Sequence, residues 1–212
     1  YDDFHFSSVS MGITNFLVEL SNFYLDYAKD ILYCDKADSP RRKAVQYVIY
    51  QLSFQLCLLY NPILSFTMDE VYSFIPSHKL ASPQLEDMPK ESHVYGSDVL
   101  SEYKDFTALR DVALKALEDE RAKGSFGSSQ EAELDLVCEK DGLYGTLSSL
   151  DKDEIARYFG VSKVVLAKGE KNQASSHKAS GVLCDRCRNY RDDAKMSEEG
   201  CLCERCREAL GK

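Results

Sequence analysis

The sequence predicts a mainly α fold: a helical bundle, then a small α/β junction, then a compact tail organised by cysteines. Three observations carry this reading. Apolar residues recur three or four apart through most of the first 125 positions. Between Ala132 and Ala167 that period gives way to alternation and a short apolar run. Five of the eight cysteines crowd between positions 184 and 206. The resulting segments are 1–125 for the bundle, 126–180 for the junction and a linker, and 181–212 for the tail.

Val9, Ile13, Phe16, Leu17, Leu20, Phe23, Tyr24, Tyr27 and Ile31 paint one face of a long first helix that ends near Cys34. Ser39-Pro40 reads as a cap followed by a proline in the first turn of a second helix, which must stop at Asn61-Pro62 because an interior proline removes a hydrogen bond and clashes. Thr67-Met68-Asp69-Glu70 has capping-box spacing and predicts a short third helix. Pro76, Pro83, Pro89 and Gly96 then mark an irregular connection. Asp98 is the expected cap of a fourth helix, with Leu100, Tyr103, Phe106, Leu109, Val112, Ala113, Ala116 and Leu117 inward and Lys123-Gly124 as the stop.

Ala132, Leu134, Leu136 and Cys138 alternate with polar neighbours and predict a strand; a helix from about Asp151 to Phe159 and a strand over Val161–Ala167 follow. Residues 168–180 are polar and small, so they predict a flexible linker, with a short strand at Val182-Leu183.

At 212 residues with 44% hydrophobic content the chain has enough apolar material for one large or two small domains. A net charge of -9 argues against gripping nucleic acid through the overall field, so any such contact must come from local basic patches. No apolar run is long enough to span a membrane and the start lacks the pattern of a signal peptide, so the expected setting is the cytoplasm. A start at Tyr1, with helical pattern almost at once, suggests a piece of a longer chain.

Cys184-Asp-Arg-Cys187 and, fifteen residues on, Cys203-Glu-Arg-Cys206 form two matched knuckles whose thiolates can converge tetrahedrally on one zinc ion. Disulfides or a redox pair are the competing readings; a chain without a secretion signal disfavours the first, and two matched knuckles exceed what the second needs. Four protein ligands leave no open coordination position, so such a metal is structural. Cys201 stands two residues before Cys203 as a reserve thiol or neighbour. Cys34, Cys57 and Cys138 are scattered through apolar or periodic stretches.

Arg41-Arg42-Lys43 with Gln46 places basic and amide groups on the first turns of the second helix, suited to phosphate and base-edge contacts or, equally, to a solvated helix end. His5, His78, His93 and His177 share no ligand spacing, and neither a Ser/His/Asp set nor a Gly-rich phosphate loop is present. Lys195-Met-Ser197 echoes a nucleotide-loop motif but sits between the knuckles without its second lysine, and is read as chance.

Leu20-Ser-Asn-Phe-Tyr-Leu-Asp-Tyr-Ala-Lys-Asp-Ile-Leu-Tyr33, Ser39-Pro-Arg-Arg42 with Gln46, and Asn61-Pro-Ile-Leu-Ser-Phe-Thr-Met-Asp-Glu70 together resemble the anticodon-binding domain of isoleucyl-tRNA synthetase. Leu109-Arg110, Leu117-Glu118, Arg121, Gly127–Ala132 and the Cys-x2-Cys tail resemble the C-terminal region of its bacterial form. The resemblance implies the class I synthetase helical bundle packed against an anticodon stem-loop of isoleucine tRNA, with one structural zinc in the tail. It places Arg41, Arg42 and Gln46, and the tail's Arg186, Arg188 and Arg205, as candidate tRNA contacts. Amino-acid activation, with its ATP, would belong to the catalytic body of a longer parent ligase, because the nucleotide-binding motifs are missing here; the chain is expected to act as a monomer. Two departures stand out: Arg188 occupies a place where the family often has Trp, and Cys201 one where a non-cysteine is usual. The alternative from another class is a zinc-ribbon adaptor that meets a protein and no RNA.

Overall fold

A computed structural model describes residues 1–77, 80–90, 97–198 and 200–211. His78, His93, Gly96 and Glu199 lie outside the described residues. The chain forms two compact units, Tyr1–Leu32 with Ala37–Val94, and Tyr33–Lys36 with Tyr95–Lys212. This differs from the segmentation at 125 read from sequence, because the fourth long helix packs on the sheet that follows it.

In the first unit α1 (Phe6–Glu19) runs through a π-helical turn, Leu20–Leu25, into α2 (Asp26–Cys34). The single long helix expected from the apolar spacing therefore forms, with a wider turn in its middle. Ala28 and Ile31 are buried against Val45 of α3 (Pro40–Tyr60), with Tyr24, Tyr27, Leu32 and Ile49 packed around them. Burying a side chain such as Ile31 contributes about 1.5–3 kcal/mol. Ser39 caps α3 by accepting a hydrogen bond from the Arg42 amide at 3.5 Å, Pro40 takes the first helical position, and Asn61 ends the helix.

α4 spans Ser65–Phe74 with Leu64 at its cap position, so Thr67 lies inside the helix and closes no capping box. The turn at Tyr60–Leu64 explains the shift: the amides of Ile63 and Leu64 both donate to the Tyr60 carbonyl, and the next helix starts from there without needing a side-chain cap. Tyr72 of α4 packs with Cys57 and Ile75, and donates to Glu86 at 2.5 Å across the connection that follows.

In the second unit α5 (Ser97–Ala122) takes in Asp98 as a first-turn residue instead of a cap. Phe106, Leu109, Ala113 and Leu117 are buried as expected, but Leu100 and Tyr103 are 58% and 43% exposed. The helix stops at Lys123-Gly124, where Gly124 has φ +80°.

Strand β1 (Ala132–Cys138) buries every second residue, as the alternation predicts. It is followed by α6 (Asp141–Ser148), which the sequence reading did not anticipate, and by α7 (Lys152–Phe159), capped by Asp151 and closed by Gly160 at φ +65°. β2 (Lys163–Lys168) lies parallel to β1.

Residues 173–178 are a strand, β3 (Gln173–Lys178), where a flexible linker was expected. β3 runs antiparallel to β1 at the sheet edge, giving the order β2-β1-β3. Its stability comes from the backbone ladder and from the buried Ser176 hydroxyl, which donates to the Ala116 carbonyl of α5 at 3.0 Å, so it needs little apolar side-chain area.

The tail consists of two hairpins and a short helix: β4 (Val182–Leu183) with β5 (Tyr190–Arg191), β6 (Lys195–Ser197) with β7 (Gly200–Leu202), and α8 (Glu204–Ala209). It is fastened to the α/β layer by Ser162, whose buried hydroxyl accepts from the Tyr190 amide at 2.7 Å, and by Lys163 with Asp192 at 2.8 Å. Among the described residues no helix is long and apolar enough to cross a membrane.

Candidate functional site

The two knuckles deliver their cysteines by local backbone geometry. Cys184 follows β4, and its turn is closed by the Arg188 amide donating to the Cys184 carbonyl and the Cys184 amide donating to the Asn189 carbonyl, both at 2.9 Å. Arg188 sits at φ +62°, a left-handed conformation uncommon for a side chain with a Cβ. On the other side β7 leads Cys203 to the cap of α8, which puts Cys206 on the first turn.

The thiols of Cys184, Cys187, Cys203 and Cys206 are buried and lie within 4.8 Å of one another, the arrangement expected from the matched spacing. The Cys187 and Cys203 sulfurs are 3.9 Å apart. A tetrahedral ion with sulfur bonds of about 2.3 Å sets its ligand sulfurs about 3.8 Å apart, whereas a disulfide needs about 2.05 Å. All eight cysteines are free of disulfides. The four residues therefore fit one soft-leaning divalent metal. The Cys203 amide also donates to the Cys184 sulfur at 3.3 Å, a hydrogen bond that stabilises a thiolate.

Crowding keeps the Cys187, Cys203 and Cys206 thiols protonated when nothing divalent lies between them. The hydrogen bond to Cys203, with burial added, holds Cys187 up to about 11. Cys206 is raised as well, by its thiol neighbours Cys187 and Cys34 and by burial. A cation placed among them reverses that balance and expels the protons.

Cys201 is buried yet stands outside the group of four. Its backbone joins the knuckles: its amide donates to Asp185 Oδ2 at 2.7 Å and its carbonyl accepts from the Asp185 amide at 2.8 Å.

The arginines read from the tail fall into different surroundings. Arg186 is engaged by the end of α2, donating to the Cys34 and Tyr33 carbonyls. Arg205 is half-buried, 3.9 Å from Asp35, in a cleft whose other charged walls are Asp153, Arg191, Asp193, Glu204 and Glu208. Four carboxylates against two guanidinium groups make that cleft a poor phosphate site. Arg188 is exposed.

At the start of α3 Arg41, Lys43 and Gln46 are exposed and Arg42 is half-buried, all at the positive end of a 21-residue helix. Tyr47, which the sequence reading passed over, is 64% exposed beside them. Its signal was an aromatic ring directly after Gln46, at helical spacing from Lys43. His177 lies on the sheet's outer face, 3.8 Å from Glu133 and 3.7 Å from Asp135.

The helices of the first unit and the four-cysteine tail are the features on which the family comparison bears. The family described as the anticodon-binding domain of tRNA ligase matches residues 1–136, and the chain belongs to that family. Over almost its whole length the chain is similar to isoleucine–tRNA ligases. It is 36% identical to that of Brevibacillus brevis over 93% of the chain, 37% to that of Exiguobacterium sibiricum over 90%, and 36% to that of Staphylococcus epidermidis over 91%. It spans only 23%, 21% and 22% of those relatives.

Proposed function

We propose that this chain is the C-terminal, anticodon-reading part of an isoleucine–tRNA ligase, with one structural zinc in its tail. The observation that carries the reading is the joint occurrence of the family match over residues 1–136 and the four converging cysteines beyond it. In this reading the bundle meets the anticodon stem-loop of isoleucine tRNA. Arg41 and Arg42 hold phosphates, Gln46 reads a base edge, and Tyr47 offers a ring on which an unpaired base stacks. Arg188 adds an exposed cation from the tail.

Zinc suits the donor set, since four thiolates in a tetrahedral, closed site select a soft-leaning ion and leave no place for substrate. Its contribution is to fold a module too small to have a core of its own. Activation of isoleucine with ATP falls to the catalytic body of the parent ligase, acting in the cytoplasm. Exposed Met11, Phe66 and Phe74 of the first unit support a further surface that this body covers. The part itself acts as a monomer.

The test is salt-dependent binding of an isoleucine tRNA transcript to the wild-type chain and to Arg41→Ala and Arg42→Ala. Each variant should weaken binding and lower the salt slope by about one. Unchanged affinity and slope in both would remove these residues from the interface.

A further inference from the structure

We infer that the metal centre governs the C-terminal turn of α2 through Arg186, so that residues 33–36 are ordered only while the metal is bound. This rests on the proposed metal site and goes beyond it. Arg186, between the first two ligand cysteines, carries its guanidinium away from its own knuckle. Nη1 donates to the Cys34 carbonyl at 2.6 Å and lies 3.6 Å from the Cys206 sulfur, and Nη2 donates to the Tyr33 carbonyl at 2.9 Å. Those carbonyls lie in the last turn of α2, beyond which the helix supplies no further amides.

One cation thus serves two negative groups at once: the negative end of a helix and a metal-ligating sulfur. The net charge of an ion held by four thiolates is -2, so a guanidinium beside one sulfur lowers the cost of assembling it. Removing the ion loosens the four-sulfur geometry that aims Arg186. The final carbonyls of α2 then lose their donor.

Two further contacts tie the same four residues to the module. Asp35, almost fully buried, lies 3.9 Å from Arg205, and Lys36 is 3.7 Å from Glu208. The Cys34 side chain is buried in the same cluster as the four ligands. The ordering of residues 33–36 is accordingly a property of the tail, although they stand some 150 positions earlier in sequence. They precede the Ser39 cap of α3 by three residues, so the metal has a covalent route to the start of the proposed tRNA-binding helix.

The experiment uses the whole chain with Tyr33→Trp as a reporter. Tyr33 is 74% exposed, and the chain has no tryptophan of its own. Metal content by elemental analysis, cobalt affinity by its thiolate absorption, hydrogen exchange of the α2 end and indole anisotropy are measured with and without chelator. The same is done in Arg186→Gln and Arg186→Lys, with exchange of β1 as the folding control. Chelation should raise exchange at the α2 end and lower the anisotropy while β1 is unchanged. Arg186→Gln should bind cobalt roughly 10- to 100-fold more weakly and, even when loaded, leave the α2 end clearly more mobile than in the loaded wild type. Arg186→Lys should recover part of the affinity. An α2 end indifferent to metal, or one fully protected in loaded Arg186→Gln, would overturn the coupling while leaving the metal site intact. Failure of the wild-type chain to bind zinc or cobalt would overturn the proposed metal site itself.

Discussion

At the residue scale the convergence of Cys184, Cys187, Cys203 and Cys206 was legible because the information is local: a two-residue gap inside each knuckle aims both thiols to one side. What Cys201 does was not legible, since its distinction from Cys203 lies in backbone bonds to Asp185, a residue of the other knuckle. The difference can be measured. Cys203→Ser should lose the metal and unfold the tail, whereas Cys201→Ser should keep one zinc per chain by elemental analysis. Loss of zinc in Cys201→Ser would move the ligand set. Arg188 offers a second separation: at φ +62° a glycine is at least as comfortable, so Arg188→Gly should hold zinc as well as wild type. A drop in tRNA affinity without metal loss would mark it as an RNA contact, and metal loss would mark it as structural. The contacts of Arg186 with α2, as opposed to the RNA contact read for it, were beyond sequence reasoning, because its partners lie 152 and 153 residues away.

At the element scale, the Ser39-Pro40 start of α3, the alternation of β1 and the helix from about Asp151 came through, whereas the caps read at Thr67 and Asp98 did not. β3 and α6 did not. Gln-Ala-Ser-Ser-His-Lys carries no strand period, and its pairing is specified by β1, some forty residues earlier. Asp-Gly-Leu-Tyr-Gly-Thr-Leu-Ser contains two glycines that weaken helix propensity, and burial of Leu143 and Leu147 overrides them.

α4 has a titratable anchor in Tyr72, whose hydroxyl is pushed up to about 12, chiefly by burial and then by its hydrogen bond to Glu86. A phenol that ionises near 10 when unfolded and near 12 when folded contributes stability that is complete below pH 10. That contribution is lost as the pH climbs from about 10 to about 12. The stability advantage of wild type over Tyr72→Phe in urea melts should therefore shrink across that window. An advantage that stays constant with pH would show that this hydroxyl is not held neutral by the fold. In the sheet, Leu134→Ala should cost about 2–5 kcal/mol in the same measurement, because the site is sealed and cannot collapse.

At the scale of the whole chain, a net charge of -9 and a tRNA-ligase fold pull in opposite directions, and the resolution lies in placement. Arg41, Arg42 and Lys43 stand together at the first turn of α3, where the helix dipole adds to them, while the net negative charge of the chain disfavours phosphate in general. In the proposed reading, affinity depends on a few local contacts, and selectivity on bases that only an open loop presents. The most direct test is binding of the zinc-loaded chain, at fixed salt, to isoleucine tRNA and to the same tRNA with its anticodon replaced. The anticodon-reading account predicts at least about tenfold weaker binding to the altered tRNA, the size of one lost stacking or base-edge contact. Equal binding to both, or none to either with the tail folded around its metal, would contradict it.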